Sequence, residues 1–301
     1  MQQQYHIPVL YKECLDALNI KPAGVYVDCT FGGGGHSRGI LERLGESGRL
    51  VAFDQDADAR QNIPNDPRII FVPQNFRYLH RFLRLHKFPQ VDGLLADLGV
   101  SSHQFNVGDR GFSTRFDGPL DMRMNQEQEL TAYSVLLNST ETQLHKLFEQ
   151  YGEVTNSKTL ARHIVQHRKN SSFKTIAEFT ALLQPVIKGN PNKYLAQVFQ
   201  ALRIHVNDEM GALKEMLEQI PSSLKAGGRA AIITFHSLED RLVKNFFRQG
   251  TFEEAPDNPF VQQARQSELA VITKKPVLPA DEETKRNPRS RSAKLRVAEK
   301  I

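Results

Sequence analysis

With 301 residues, the chain is long enough to bury a sizeable core in one or two domains. Hydrophobic residues make up 40% and charged residues 24%, a composition that fits a soluble globular protein and excludes a disordered polyelectrolyte. The net charge of +5 points to a polyanionic partner only where the charge is concentrated; Cys14 and Cys29 stand in no CxxC or Cys/His spacing, so neither a disulfide framework nor a metal site is expected.

No apolar run approaches the ~18 residues of a membrane span, so a cytoplasmic protein with no membrane partner is expected. In chain order, Leu10, Cys14 and Leu18 make the first helical stripe, with His6 and Pro8 before it. Val25–Val27 form a short β-rich run that ends in Asp28, and four glycines follow at 32–35. A helical pattern starts near Ser37 with Ile40, Leu41 and Leu44 on one face. Gly45 and Gly48 stop it, and a second apolar run, 50–53, ends in Asp54. Strand, Gly-rich turn, helix, strand, acid is half of a nucleotide-binding βαβ unit.

The residue types have physical reasons. A ligand approaches a backbone closely only where no Cβ intrudes, and a tight strand-to-helix turn often needs φ > 0. Asp54 lies about 20 residues past the glycines, where an acid accepts hydrogen bonds from ribose hydroxyls. The third glycine of a dinucleotide fingerprint is missing, since Ser37 and Arg38 occupy those places, and there is no P-loop. Asp28 beside the loop suits a cationic ligand better than a pyrophosphate. S-adenosylmethionine, with its ribose, ammonium and sulfonium, fits first and NAD second.

Residues 68–72 read as a third strand. Phe76 opens a helix with Leu79, Phe82 and Leu83 on one side and basic residues on the rest. Residues 91–97 (VDGLLAD) are a fourth strand ending in Asp97, followed by Ser101, Ser102 and Gln104. Residues 110–124 form a long irregular loop, and 130–191 read as helix throughout, with a Thr175/Glu178 capping box. His163 and His167 lie one turn apart without the acid of a metal motif. Residues 199–224 read as one long amphipathic helix, 226–228 as a turn and 230–235 as a buried strand ending at His236 and Ser237. A helix over 238–247 and an antiparallel hairpin of 269–273 with 294–298 close the chain. Between Lys285 and Arg296 stand six basic residues and no acid, a polyanion footprint.

The pattern predicts an α/β chain: a Rossmann-like sheet of parallel strands with a C-terminal antiparallel hairpin. Residues 1–109 and 198–301 are expected to form it, and 110–197 an inserted all-helical domain on the substrate side.

The segments HIPVL (6–10), DCTFGGGGHS (28–37), LLADLGVSS (94–102), DGPLDMRM (117–124), FQALRIHVN (199–207), GGRAAIITFHSLEDR (227–241) and NPRSRSAKLRVAE (287–299) resemble the ribosomal RNA small subunit methyltransferase H family. The resemblance spans nearly the whole chain in order. It implies a class I methyltransferase fold with a helical insert. It also implies S-adenosylmethionine-dependent methylation of the exocyclic N4 of a decoding-region cytidine of 16S rRNA (cytosine 1402 in reference rRNA numbering). Carried over by position, the cofactor contacts are Gly34, Gly35, His36, Asp54, Phe76, Asp97 and Gln104, with Asp97 also the candidate catalytic base. Candidate substrate contacts are Ser102, Arg110, Asp121, Arg123, His236, Ser237, Arg289 and Arg291. Partners are 16S rRNA or the small ribosomal subunit, with no metal; a homodimer stays open. The chain departs from the family at KYLAQ (193–197), where Gln197 replaces an expected Arg, and in a short segment after Asp54.

Three other readings compete. An NAD-dependent oxidoreductase lacks its third glycine. A non-catalytic RNA-binding protein would bind RNA and no cofactor. A DNA cytosine-N4 methyltransferase lacks its stacking aromatic, because its D-P-P-Y motif reads Asp97-Leu98-Gly99-Val100 here.

Overall fold

The structure is a computed structural model that describes residues 8–170, 173–252 and 267–301; His6 lies outside them. The described strands form one sheet: β1 (Val25–Asp28), β2 (Arg49–Phe53), β3 (Ile69–Val72), β4 (Val91–Asp97), β5 (Leu224–Thr234), β6 (Leu269–Val271) and β7 (Lys294–Lys300). Their order is β3-β2-β1-β4-β5-β7-β6. β1 to β5 run parallel, while β7 is antiparallel to β5 and β6 to β7. The expected Rossmann-like sheet with its closing antiparallel strands is therefore present. The chain winds outward from β1 to β3 and then returns to β4. That reversal is the switch point beyond whose carboxyl ends such sheets bind ligands.

The central strands are apolar on both faces because both faces are covered. Along β5, Ala230 and Ile232 face a core built with Leu213, Met216, Leu217 and Ile220 of the helix Glu209–Ser223 and with Val243, Phe246 and Phe247. Ala231 and Ile233 face the opposite core, with Cys14, Leu15, Leu18, Ile40 and Leu41. The alternation is the two-residue period of the strand. Both cysteines are free and buried.

Two expectations change. The stretch 226–228, read as a turn, lies inside β5, which starts at Leu224; it is taken up by a register shift against β4 between Val91 and Gly93, with Gly227 at φ 72°. The single helix expected over 199–224 is two, Pro191–Asn207 and Glu209–Ser223. Asp208 separates them at φ 46°, ψ 44°, a left-handed conformation that a short polar side chain tolerates.

Packing divides the chain into two compact units, Met1–Gly99 with Gly211–Ile301, and Val100–Met210. The sheet belongs to the first. The second is helical around Phe148, Leu160, Ile164, Phe179, Val198 and Leu202. Thr131, Thr140 and Thr175 each cap a helix reciprocally with the residue three further on. His163 and His167 are each engaged with a backbone carbonyl, of Leu182 and His163. No helix among the described residues is long and apolar enough to cross a membrane.

Candidate active site

The loop after β1 is built from its own polar groups. Asp28 is almost fully buried; its Oδ2 accepts from Ser37 Oγ at 2.6 Å and its Oδ1 from the Thr30 N–H at 3.0 Å. It pins the loop to the first turn of the helix Gly35–Arg43. Gly34 precedes that helix at φ 72°, where a Cβ would also lie 2.9 Å from the Phe31 ring. A Cβ on Gly35 would meet Pro8 at 2.3 Å. Gly34 and Gly35 are thus required by the fold itself.

Asp54 follows β2. Its Oδ2 accepts from the Gly32 N–H at 2.7 Å and its Oδ1 from the Asp56 N–H at 2.8 Å. Burial raises its pKa to about 6, against the two N–H bonds that lower it. A carboxylate has about four lone-pair sites, so two remain for further donors. Nearby, Asn75 donates to Gln55 at 2.9 Å, and Phe76 opens a short 3-10 turn, partly buried against the sheet core.

Asp97 ends β4. Its backbone N–H donates to Thr30 Oγ1 at 2.7 Å, which ties β4 to the loop after β1. Its side chain is 25% exposed, yet its Oδ1 is sealed and has no hydrogen-bond partner. Oδ2 lies 3.7 Å from Nδ1 of His36. The other ring nitrogen of His36, Nε2, is 3.1 Å from the Val9 carbonyl, which can only accept, so Nε2 carries the proton and Nδ1 presents a lone pair to Asp97. Burial lowers the His36 pKa to about 4. Burial, followed by the charges of Asp28, Glu239 and Glu283, raises that of Asp97 to about 8. The rim carries a negative field that a cationic ligand would relieve.

His236 and Ser237 begin the helix that follows β5. Glu239 is buried; its Oε2 accepts from the Phe235 N–H at 2.8 Å and its Oε1 stands 3.1 Å from His236 Nε2. Glu283 reaches from the helix Asp281–Arg286 to accept from the Leu10 N–H at 2.9 Å. Arg289 and Arg291 lie on a 3-10 turn, Pro288–Ser292.

A model of the MraW methylase family matches residues 3–301. The chain belongs to that family. A protein of Parabacteroides distasonis named ribosomal RNA small subunit methyltransferase H is 54% identical over 299 residues, covering 99% of this chain and 98% of its own. Same-named proteins of Bacteroides fragilis (54% over 297 residues, 98% and 97% covered) and Christiangramia forsetii (52% over 302 residues, 99% and 98%) are similar.

In this member of the family, the first unit brings together Gly34, Gly35, His36, Asp54, Phe76, Asp97, His236 and Ser237 at the carboxyl ends of the strands. The remaining candidates, apart from Arg289 and Arg291, lie in the second unit. Gln104 closes a capping box with Ser101, its Oε1 accepting from the Ser101 N–H at 3.0 Å. Ser102 lies in that short helix; its side chain is outside the description. Arg110 is buried, donating to the carbonyls of Arg123 and Met124 at 3.0 and 3.2 Å. Asp121 and Arg123 form a bidentate pair at 2.9 and 2.7 Å.

Four residues of the rim escaped sequence reasoning. Thr30 and Ser37 are small hydroxyl residues beside the glycines, with no pattern of their own to mark them. Glu239 was detectable as the third position after His236, a capping-box spacing. Glu283 had no local signal.

Proposed function

We propose that the chain transfers a methyl group from S-adenosylmethionine to the exocyclic N4 of a cytidine in the decoding region of 16S ribosomal RNA. The reading rests on membership of a methylase family, on relatives named as small subunit rRNA methyltransferases, and on one structural observation. That observation is an acid at the end of β4 with a buried oxygen left without a partner, beside a Gly-rich turn. A buried unpaired acceptor is costly unless a ligand uses it.

The residues fit the cofactor. Asp54 offers two free lone-pair sites to ribose hydroxyls. The turn 32–35 allows close backbone approach. The field of Asp28, Asp97, Glu239 and Glu283 suits a ligand bearing an ammonium and a sulfonium. When bound, S-adenosylmethionine supplies an electrophilic methyl group.

Cytosine N4 is a poor nucleophile because its lone pair is delocalised into the ring. The protein's largest contribution is to hold that nitrogen in line with the methyl group. As the N–C bond formed, the methyl–sulfur bond would break with its electron pair left on sulfur, and N4 would hold positive charge and one proton too many. Asp97, ionised by the cationic ligand, accepts from the amine and then takes the proton. His36, held neutral by burial, contributes no charge. The target base must leave its stack to reach this rim. RNA contacts are assigned to His236 and Ser237 in the first unit and, separately, to the 110–124 loop of the second.

Methyl transfer from labelled S-adenosylmethionine to small subunits and to naked 16S rRNA, with nucleoside analysis, tests the reading. N4-methylcytidine is the expected product. Cofactor binding without transfer to either RNA, or no cofactor binding, overturns it.

A further inference from the structure

A second cleft of about 360 Å³ opens between the helix Ser237–Gln249 and the edge strand β6. We propose that it binds the phosphodiester backbone of the RNA substrate, in a single-stranded stretch flanking the target base; the proposal rests on the rRNA methyltransferase reading. Three cations converge on it. Lys244 and Arg248 stand one helical turn apart, and Lys274 enters from the other side, after β6. None of the three has a hydrogen-bond or ion-pair partner among the described residues.

Neighbouring cations differ. Arg296, also at the cleft, donates to Asp240 at 2.6 Å, and Lys294 shares that carboxylate at 3.3 Å. Lys300, also on β7, is paired with Glu268. Among the described residues, the β7 cations Lys294, Arg296 and Lys300 are thus held by acids, while Lys244, Arg248 and Lys274 are not. Arg248 in the last turn complements the helix dipole, but Lys244 four residues earlier repels it, so the pair together brings the helix little. Lysines beside an edge strand discourage strand addition, which explains Lys274 near exposed Val271 and Ile272. It does not explain two helical cations aimed at the same space. Phe247 and Val271 line the rest, an apolar wall against which a ribose can rest.

The position suits a flanking strand. Lys244 and Arg248 lie seven and eleven residues past Ser237, ~10 and ~16 Å down the helix from the catalytic rim. A few nucleotides span that distance. Three cations around one cleft, without partners among the described residues, read phosphates without reading sequence.

The test combines Lys244→Glu, Arg248→Glu and Lys274→Glu in the full chain. A fluorescent 16S decoding-region RNA is titrated across a salt series, separately from any methyl transfer. The slope of log affinity against log salt should shrink by about 2, because single-stranded contacts contribute about 0.7 each. KM for RNA should rise roughly ten- to hundredfold, and S-adenosylmethionine affinity, which reports folding, should stay. The Gln set should give the same slope change, and Lys244→Arg with Lys274→Arg should restore the wild-type slope. An unchanged slope and KM in both the Glu and Gln sets would overturn the cleft while leaving the methyltransferase reading intact. A wild-type chain that binds this RNA through the cleft but forms no N4-methylcytidine would do the reverse.

Discussion

Nδ1 of His36 faces Oδ2 of Asp97 at 3.7 Å, and the two groups are displaced in opposite directions from their ordinary titration ranges. Both displacements favour the neutral form, since burial penalises charge on either. Their effects on stability have opposite signs. Between about pH 4 and 8 the folded chain holds the Asp97 proton that the unfolded chain has lost, so stability falls as pH rises through that window. Between about pH 6.5 and 4 the unfolded chain gains a His36 proton that the folded chain refuses, so stability falls as pH drops there. Asp97→Asn removes the first effect alone. Its melting temperature should exceed that of the wild type by more at pH 8 than at pH 5. An equal difference at both would show that Asp97 is not held protonated.

The same proton should couple to the ligand. At pH 7 Asp97 is largely protonated in the free protein, with a pKa near 8. A cation beside it favours the carboxylate, so binding of S-adenosylmethionine should expel a proton, and affinity should rise from pH 6 to pH 8 before levelling. Calorimetry in two buffers of different ionisation enthalpy counts the protons released. Close to one is expected for the wild type near pH 7 and close to none for Asp97→Asn. Equal counts would remove Asp97 from the cofactor's charge.

Glu283 separates charge from hydrogen bonding. It accepts from the N–H of Leu10, a buried residue at φ 52° that begins the helix Tyr11–Leu18, and its charge helps raise Asp97. Glu283→Ala leaves that donor without a partner and should cost about 1–3 kcal/mol in denaturant unfolding. Glu283→Gln keeps an acceptor and should cost less, yet it should lower the pH at which cofactor affinity levels off. A Gln variant that destabilises like Ala would mean that the charge itself holds Leu10.

Much of this site was legible before the structure. The three acids Asp28, Asp54 and Asp97 each follow an apolar run, and the continuous burial of 93–96 in β4 and 230–234 in β5 follows from their apolar composition. What stayed hidden depends on contact through space. Asp208 carries no glycine or proline to announce a helix break. The stretch 226–228 has turn chemistry but is absorbed as a strand irregularity. The basic segment 285–296 read as one footprint, yet Lys294 and Arg296 are held by Asp240, more than 50 residues earlier. The unpaired cations of the β6 cleft come from two segments that look unremarkable apart.

The glycine loop offers a graded test. Gly33 has open space where a Cβ would go, whereas Gly34 combines φ 72° with the Phe31 ring and Gly35 abuts Pro8. Gly33→Ala should melt within about 1 kcal/mol of the wild type. Gly34→Ala should lose about 1–2 kcal/mol for the left-handed backbone alone, and more from the contact. Gly35→Ala requires Pro8 or the helix start to move. Loss of cofactor affinity in Gly33→Ala without loss of stability would locate the ligand directly against that residue.

Asn207 links the 110–124 loop to the helix Pro191–Asn207. Its Oδ1 accepts from the Met124 N–H at 2.7 Å, and its Nδ2 donates to the carbonyls of Met122 and Arg203 at 2.8 and 2.9 Å. Met122 sits at φ 63°, so the loop depends on this side chain for an unfavourable turn. Asn207→Ala strands a buried N–H and a carbonyl and should cost about 2–4 kcal/mol. Asn207→Asp keeps the acceptor but turns a carboxylate toward two carbonyl oxygens, and should be at least as damaging. Because the loop belongs to the helical unit, the defect should appear as a raised KM for RNA, with S-adenosylmethionine affinity retained. Steady-state kinetics with each substrate varied in turn checks this. An equal loss for both substrates would assign the loop to general stability and not to the RNA.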